Sequence, residues 1–170
     1  MNRKIYIMGP VGSGKTTFSK QLSKKYGIQY YELDKVSWDD DHGHVKRSED
    51  EAMKIFHEIL GEKSWIIEDV GRTKFQEGRK EADIIYYIKL SRLKAYYRVI
   101  KRWLKQRLGK EVYNHPPTGK QLLYFISTVN SYYKKEPERL KDLEEYKDKV
   151  IYITNKDMKK ILKKEITPNE

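Results

Sequence analysis

Residues 9–16 read Gly9-Pro10-Val11-Gly12-Ser13-Gly14-Lys15-Thr16, and this stretch decides the fold. Before it, residues 3–8 form a short β-branched and aromatic run, the composition of a buried strand. After it, Phe18, Leu22 and Tyr26 recur every four residues as on one helix face, and Gly27 closes the segment. Strand, glycine-rich turn and helix in that order match G-x-x-x-x-G-K-[ST] in full. The chemistry of the pattern is phosphate binding. Glycines let the backbone curl until several N–H groups point at one anion, and the helix start adds the positive end of its dipole. Gly9, Val11, Gly12, Ser13, Gly14, Lys15, Thr16 and Thr17 are therefore expected along the phosphates of ATP. Lys15 is expected to face the ligand rather than the core and to reach the β- and γ-phosphates as a catalytic group. The Thr16 hydroxyl is expected on Mg2+.

Residues 28–33 predict a second strand ending at Asp34, followed by a polar loop over 35–47. Ser48 with Glu51 three residues on is a capping box, and it opens a helix that turns Ala52, Phe56, Ile59 and Leu60 inward and ends near Gly61. Trp65–Asp69 reads as a third strand with two acids at its carboxyl end. Residues 84–90 are almost continuously apolar, as a central parallel strand is. Residues 92–108 predict a helix with Leu93, Tyr97, Ile100, Leu104 and Leu108 on its apolar face. Lys94, Arg98, Lys101, Arg102 and Lys105 lie on another face. Gly109, Pro116, Pro117 and Gly119 break the pattern. Helical segments follow at about 118–134 and 138–147, then a fifth strand at 150–153 and a helix at 157–164. Strands alternating with helices imply crossover connections, hence an α/β domain with a five-stranded parallel sheet and helices on both faces. Ligands in such sheets bind beyond the carboxyl ends of the strands. Residues 9–16, Asp34, Glu68 and the segment after Leu90 all fall there.

The chain has 170 residues, 38% hydrophobic and 36% charged, enough for one core under a polar skin; a single domain over 1–170 is expected. It contains no cysteine, which excludes a disulfide scaffold, a Cys-ligated zinc and thiol catalysis. No apolar run approaches a membrane span, and residues 1–4 lead directly into a strand, so the reading is a cytoplasmic protein without a targeting peptide. The net charge of +11 is uneven. Residues 1–91 carry 16 Lys and Arg against 15 acids, whereas residues 92–120 carry nine basic residues against Glu111 alone. Such density suits a polyanion or a triphosphate.

The acid at the end of the third strand, Glu68, is the candidate to hold the metal ion or its waters, with Asp69 beside it on the opposite strand face. Asp34 is a candidate substrate contact, and Arg72 could grip an anionic acceptor. Arg98 and Arg102, four apart on one helix face, could neutralise charge on a transferring phosphoryl group. His42 and His44 with Asp39, Asp40 and Asp41 lack the spacing of a metal cluster. Tyr30–Tyr31, Tyr86–Tyr87 and Tyr96–Tyr97 sit in apolar patterns and are expected to pack.

These residues carry a family resemblance. The loop, Trp65-Ile66-Ile67-Glu68 with Arg72, and Arg98-Val99-Ile100-Lys101-Arg102 resemble the nucleoside monophosphate kinases. The chain is more closely similar to the adenylate-kinase-like DNA topology modulation proteins. They share the loop through Thr17, Tyr30-Tyr31-Glu32-Leu33-Asp34 with Trp38 four residues on, the Trp65 strand, and Lys147-Asp148-Lys149-Val150-Ile151. The resemblance covers about residues 3–160. It implies a three-layer P-loop sandwich with strand order 2-3-1-4-5 and a short lid over about 98–119. It also implies a substrate-phosphate arginine at Arg72, lid arginines Arg98 and Arg102 on phosphates, Asp34 and Trp38 at the acceptor, and Asn155 at the adenine. Asp69 stands where adenylate kinases carry Gly, Gly71 where they carry Pro, and no arginine follows Asp34 to hold a substrate phosphate. The acceptor is therefore left open. Two functions fit: a kinase moving the γ-phosphoryl of ATP–Mg2+ to a nucleotide or other small acceptor, and an ATP-dependent nucleic-acid-binding protein that acts on DNA topology through residues 92–120. The first is favoured, because the basic residues share a helix with the lid and no DNA-reading motif accompanies them.

Overall fold

Ile5, Tyr6, Ile7 and Met8 are all buried, so β1 (Lys4–Met8) is covered on both faces and takes the centre of the sheet. The computed structural model describes residues 2–39, 45–111 and 117–163; His42, His44, Asp40, Asp41 and part of the expected lid, residues 112–116, lie outside the described residues. α1 (Lys15–Tyr26) starts directly after the glycine turn, and Gly27 ends it by returning its N–H to the Ser23 carbonyl.

β2 (Tyr30–Glu32) is shorter than the sequence predicts, and the predicted loop is partly ordered. It contains α2 (Leu33–Ser37) and a small antiparallel pair, β3 (Trp38–Asp39) with β4 (Val45–Lys46). Burial explains the difference: Leu33, Val36 and Ser37 are buried, and Arg47 donates to the carbonyls of Lys35 and Trp38, closing the turn. α3 (Glu49–Leu60) begins at the predicted capping box, with Ser48 and Glu51 bonded in both directions. β5 (Trp65–Asp69) follows, then a 3₁₀ turn at Thr73–Phe75 and α4 (Gln76–Glu81), which the sequence pattern does not announce. The chain continues through β6 (Ile84–Ile88), α5 (Arg92–Arg107), α6 (Gly119–Lys134), α7 (Glu136–Glu144), β7 (Val150–Ile153) and α8 (Asn155–Lys163).

The sheet runs β2-β5-β1-β6-β7 with every pairing parallel, which is 2-3-1-4-5 once the β3–β4 pair is set aside. Strand alternation splits the core. Tyr6, Met8, Trp65, Ile67, Ile85 and Tyr87 meet α3, α4 and α7 on one face. Ile5, Ile7, Ile66, Tyr86, Ile88 and Ile153 meet α1 and α8 on the other. A third cluster joins Ala95, Val99 and Val129 between α5 and α6, with Val11 of the loop against it. Among the described residues no helix is long and apolar enough to cross a membrane.

α5 reverses the predicted orientation. Leu93 is 81% exposed, Tyr97 62% and Leu108 66%, and Ile100 and Leu104 are also exposed. The helix instead docks through Ala95 and Val99 against the loop and α6. Small residues allow that close approach, and α6 already covers the adjoining side through Arg92, Tyr96 and Trp103. Amphipathic periodicity identifies the helix but not the face that its neighbours select.

Gly78 lies in α4, and a Cβ there would come within 2.8 Å of the Tyr6 ring and 3.1 Å of Phe56. Gly78→Ala normally gains about 1 kcal/mol in a helix. Here overpacking outweighs that gain, and a net loss of about 1–2 kcal/mol is expected. A lower urea midpoint with an unchanged m value checks it.

Candidate active site

The loop after β1 curls through Gly12 at φ +77° and Gly14 at φ +92°, a region that a side chain at Cβ makes costly. Gly9 lies against Ile88 of β6, and Ser13 closes the turn by donating its N–H to the Pro10 carbonyl at 3.1 Å. Val11 packs into the α5–α6 cluster, while Thr17 is exposed. Lys15 is more buried than the sequence suggests. It is only 6% exposed, folded under the curl with Nζ donating to Pro10 O at 3.1 Å and 3.9 Å from Glu68 Oε1.

The parallel register sets Ile7 beside Glu68 and Glu32 beside Glu68 on the other side, so the acid ends level with the loop. Glu68 is 8% exposed, and its Oε2 has no hydrogen-bond partner among the described residues. Burial pushes its carboxyl pKa up, while the Lys15 charge and the Thr16 hydroxyl draw it back down. Burial pulls Lys15 below the ordinary lysine range, and Glu68 opposes that. Lys15, Thr16 and Glu68 thus converge beneath the loop, with one buried carboxylate oxygen unclaimed. An oxygen donor set of hydroxyl and carboxylate suits Mg2+.

Asp69 lies on the opposite face and is fully used. It accepts from the backbone N–H of Gly71 at 2.8 Å and of Arg72 at 2.6 Å, from Arg72 Nε at 2.7 Å and from the Tyr6 hydroxyl at 3.3 Å. Burial, then the Asp69 charge, pushes the Tyr6 hydroxyl well up. Arg72 also donates to Asp34 Oδ1 at 2.9 Å and Ser37 Oγ at 3.2 Å, and its carbonyl accepts from Arg79 at 3.2 Å. Burial would lower the Arg72 pKa, but Asp69 and Asp34 outweigh it and raise it. Asp34 itself presents a side chain that is 71% exposed.

The remaining predicted residues divide. Arg98 donates to the carbonyls of Gly12 at 3.1 Å and Ser13 at 3.3 Å and to Asn155 Oδ1 at 2.7 Å, and Asn155 donates to Ser13 O at 3.0 Å. Arg102 lies over the Phe125 ring at 5.1 Å, with its buried Nε unpartnered. Trp38 is half-buried in β3, its carbonyl held by Arg47. Beside Arg72, a cavity of about 320 Å³ opens among Val11, Gly71, Thr128, Tyr132 and Arg139. It therefore faces α6 and α7 rather than α3. Arg139 stacks on Tyr132 and bonds its carbonyl. No sequence signal marks Tyr132 or Arg139, because they belong to no motif and come to the loop only through the packing of α6 and α7.

A protein-family model described as "AAA domain" matches residues 5–114. Shikimate kinase from Blochmanniella floridana is 32% identical over 75 residues, 39% of this chain and 40% of that protein. Shikimate kinase from Buchnera aphidicola subsp. Schizaphis graminum is 26% identical over 91 residues, 45% of this chain and 50% of that protein. The chain thus spans half or less of the length of these curated relatives. Among solved structures, a gluconokinase from Sinorhizobium meliloti 1021 aligns with TM-score 0.56 at 14% identity, covering 95% of this chain and 87% of that one. Shikimate kinase from Acinetobacter baumannii in complex with shikimate aligns with TM-score 0.56 at 17% identity, covering 94% and 90%. At those identities the likeness is one of fold.

Asp69 and Asp34 share Arg72 but differ in burial, which separates their effects. Asp69→Asn breaks a buried, multiply bonded carboxylate and is expected to cost about 2–3 kcal/mol. Asp34→Asn, at the exposed end, is expected to cost less than about 1 kcal/mol. Urea unfolding of both variants at pH 7 measures the difference.

Proposed function

Because the chain belongs to the AAA domain family, whose model spans residues 5–114, we propose that it is a small-molecule kinase that takes its phosphoryl group from ATP. The observation that carries this reading is the convergence of Lys15, Thr16 and the unclaimed Glu68 oxygen beneath the glycine loop, next to a separate cavity. The loop amides and Lys15 bind the β- and γ-phosphates. Thr16 and Glu68 hold Mg2+, which when bound spreads the charge that develops on the phosphates. The acceptor occupies the cavity beside Arg72, whose guanidinium is also bonded to the exposed Asp34 carboxylate.

The acceptor class follows from the state of Arg72. Its guanidinium is already bonded to Asp69, Asp34 and Ser37, so it has little left to offer a substrate phosphate. A small hydroxylated acceptor fits this arrangement better than a nucleoside monophosphate. The names of the similar proteins, shikimate kinase and gluconokinase, support the same class. The motifs shared with the DNA topology modulation proteins are compatible with it, since those motifs are kinase motifs. A DNA footprint on α5 is not favoured. The similar proteins carry names of small-molecule kinases, and Arg98, at the centre of the basic segment, turns inward onto the loop carbonyls.

An ATP-consumption screen against hydroxy acids, polyols and nucleoside monophosphates tests the reading. Turnover stimulated by a hydroxylated compound is expected; stimulation by DNA alone rejects it. Lys15→Met is expected to lower kcat by at least about 10³-fold with the far-UV signal retained, as loss of the main phosphate cation requires. Glu68→Gln is expected to raise the Mg2+ concentration for half-maximal activity more than Asp69→Asn does, measured where both variants are folded.

A further inference from the structure

A phosphate loop binds through its N–H groups, so the carbonyls of the same peptides must point outward and find partners there. At Gly12 and Ser13 those partners come from two distant elements. Arg98 of α5 donates to both carbonyls, at 3.1 and 3.3 Å. Asn155, the first residue of α8, donates to Ser13 O at 3.0 Å and accepts from Arg98 Nη2 at 2.7 Å. The two side chains are bonded to one another, and both are partly buried. The peptides they hold run between Gly12 at φ +77° and Gly14 at φ +92°. Gly12 also packs within 3.4 Å of Arg98 Cβ, and Gly14 within 3.6 Å of Asn155 Nδ2, counting from where a Cβ would stand.

We propose that Arg98 and Asn155 form a clamp that holds the phosphate loop in its binding conformation by capturing the outward carbonyls of Gly12 and Ser13. They are positioning residues, not phosphate or adenine contacts as the family pattern implies. The capture acts twice. It fixes the loop before the ligand arrives, so ordering does not count against binding. It also polarises the Ser13–Gly14 peptide, strengthening Gly14 N–H as a donor, because a hydrogen bond at a carbonyl reinforces the donor of the same unit. The proposal rests on the reading that the loop binds a triphosphate.

Inorganic tripolyphosphate separates the clamp from a nucleoside contact, because it has phosphates and no base. Calorimetric titrations of tripolyphosphate and of ATP into wild type, Arg98→Ala, Asn155→Ala and the double variant make the comparison. Each single variant is expected to weaken both ligands by the same factor, about tenfold, the scale of one charge-assisted hydrogen bond. The double variant is expected to be less than additive, since the two side chains act as one network. Asn155→Asp keeps the acceptor for Arg98 but sets a carboxylate oxygen against Ser13 O and a negative charge beside the loop, and should weaken both ligands at least as much as Asn155→Ala. Weaker ATP with unchanged tripolyphosphate overturns the clamp in favour of contact with the nucleoside. Unchanged binding of both overturns it outright. Hydrogen exchange in the ligand-free protein tests the clamp independently of any ligand. Amides of residues 12–16 should exchange about tenfold faster in Asn155→Ala while those of β1 stay unchanged, and equal exchange rejects the clamp. A wild type that binds neither ligand rejects the functional reading, and the exchange result then still decides the clamp. If Arg98→Ala does not fold, Asn155→Ala alone carries both measurements.

Discussion

The parallel pairing of β1 with β5 sets Ile7 opposite Glu68 and Met8 opposite Asp69, and the chemistry at the sheet edge depends on that register. A strand alternates its side chains, so two adjacent acids must part. Glu68 goes to the face that α1 covers and ends 3.9 Å from Lys15. Asp69 goes to the face of Tyr6 and ends as the anchor of the Gly71–Arg72 turn. A slip of one residue would exchange them, leaving the loop lysine without its carboxylate and the turn without its acceptor.

Burial then gives each acid a different character. Asp69 is surrounded by four donors, which stabilise its charge and commit it to structure. Glu68 and Lys15 are both buried, and desolvation pushes each toward neutrality while their mutual attraction resists. Such a pair is costly to keep dry and ionised. A triphosphate and a divalent cation entering the loop would replace the missing solvation on both sides, which gives the pair a physical reason to be held in place.

Much of this is legible in the sequence, for local reasons. The loop, α1 and the capping box of α3 are specified by residues within a few positions of one another, and parallel central strands announce themselves as apolar runs. What the sequence conceals depends on distant packing. The stripe from Leu93 to Leu108 has the period of a buried face, yet α5 turns it outward because the loop and α6 accept Ala95 and Val99 instead. Lys15 reads as an open cation and is buried, bonded to Pro10 O. Arg72 reads as a free phosphate grip and is bonded to two carboxylates. Arg139 and Tyr132, which border the cavity, carry no motif at all. Periodicity shows that a helix has a face; only its neighbours decide which face is used.

The cations of the site also differ in what holds them, and this sets the field that a ligand meets. Arg98 is bound by carbonyl and carboxamide oxygens, which orient it without cancelling its charge. Arg72 is bound by Asp69 and Asp34, whose two charges exceed its own. Lys15 is paired with Glu68. The end of the site at the loop therefore keeps a net positive charge, reinforced by the N-terminus of α1, whereas at the other end Arg72, Arg79, Lys135 and Arg139 are balanced by Asp69, Asp34, Glu138 and Asp142. A triphosphate is drawn to the first end, and the balanced second end exerts no such pull. Under the kinase reading, that gradient holds the phosphates of ATP at the loop and favours an acceptor that enters the Arg72 end through hydroxyl groups rather than through a phosphate of its own.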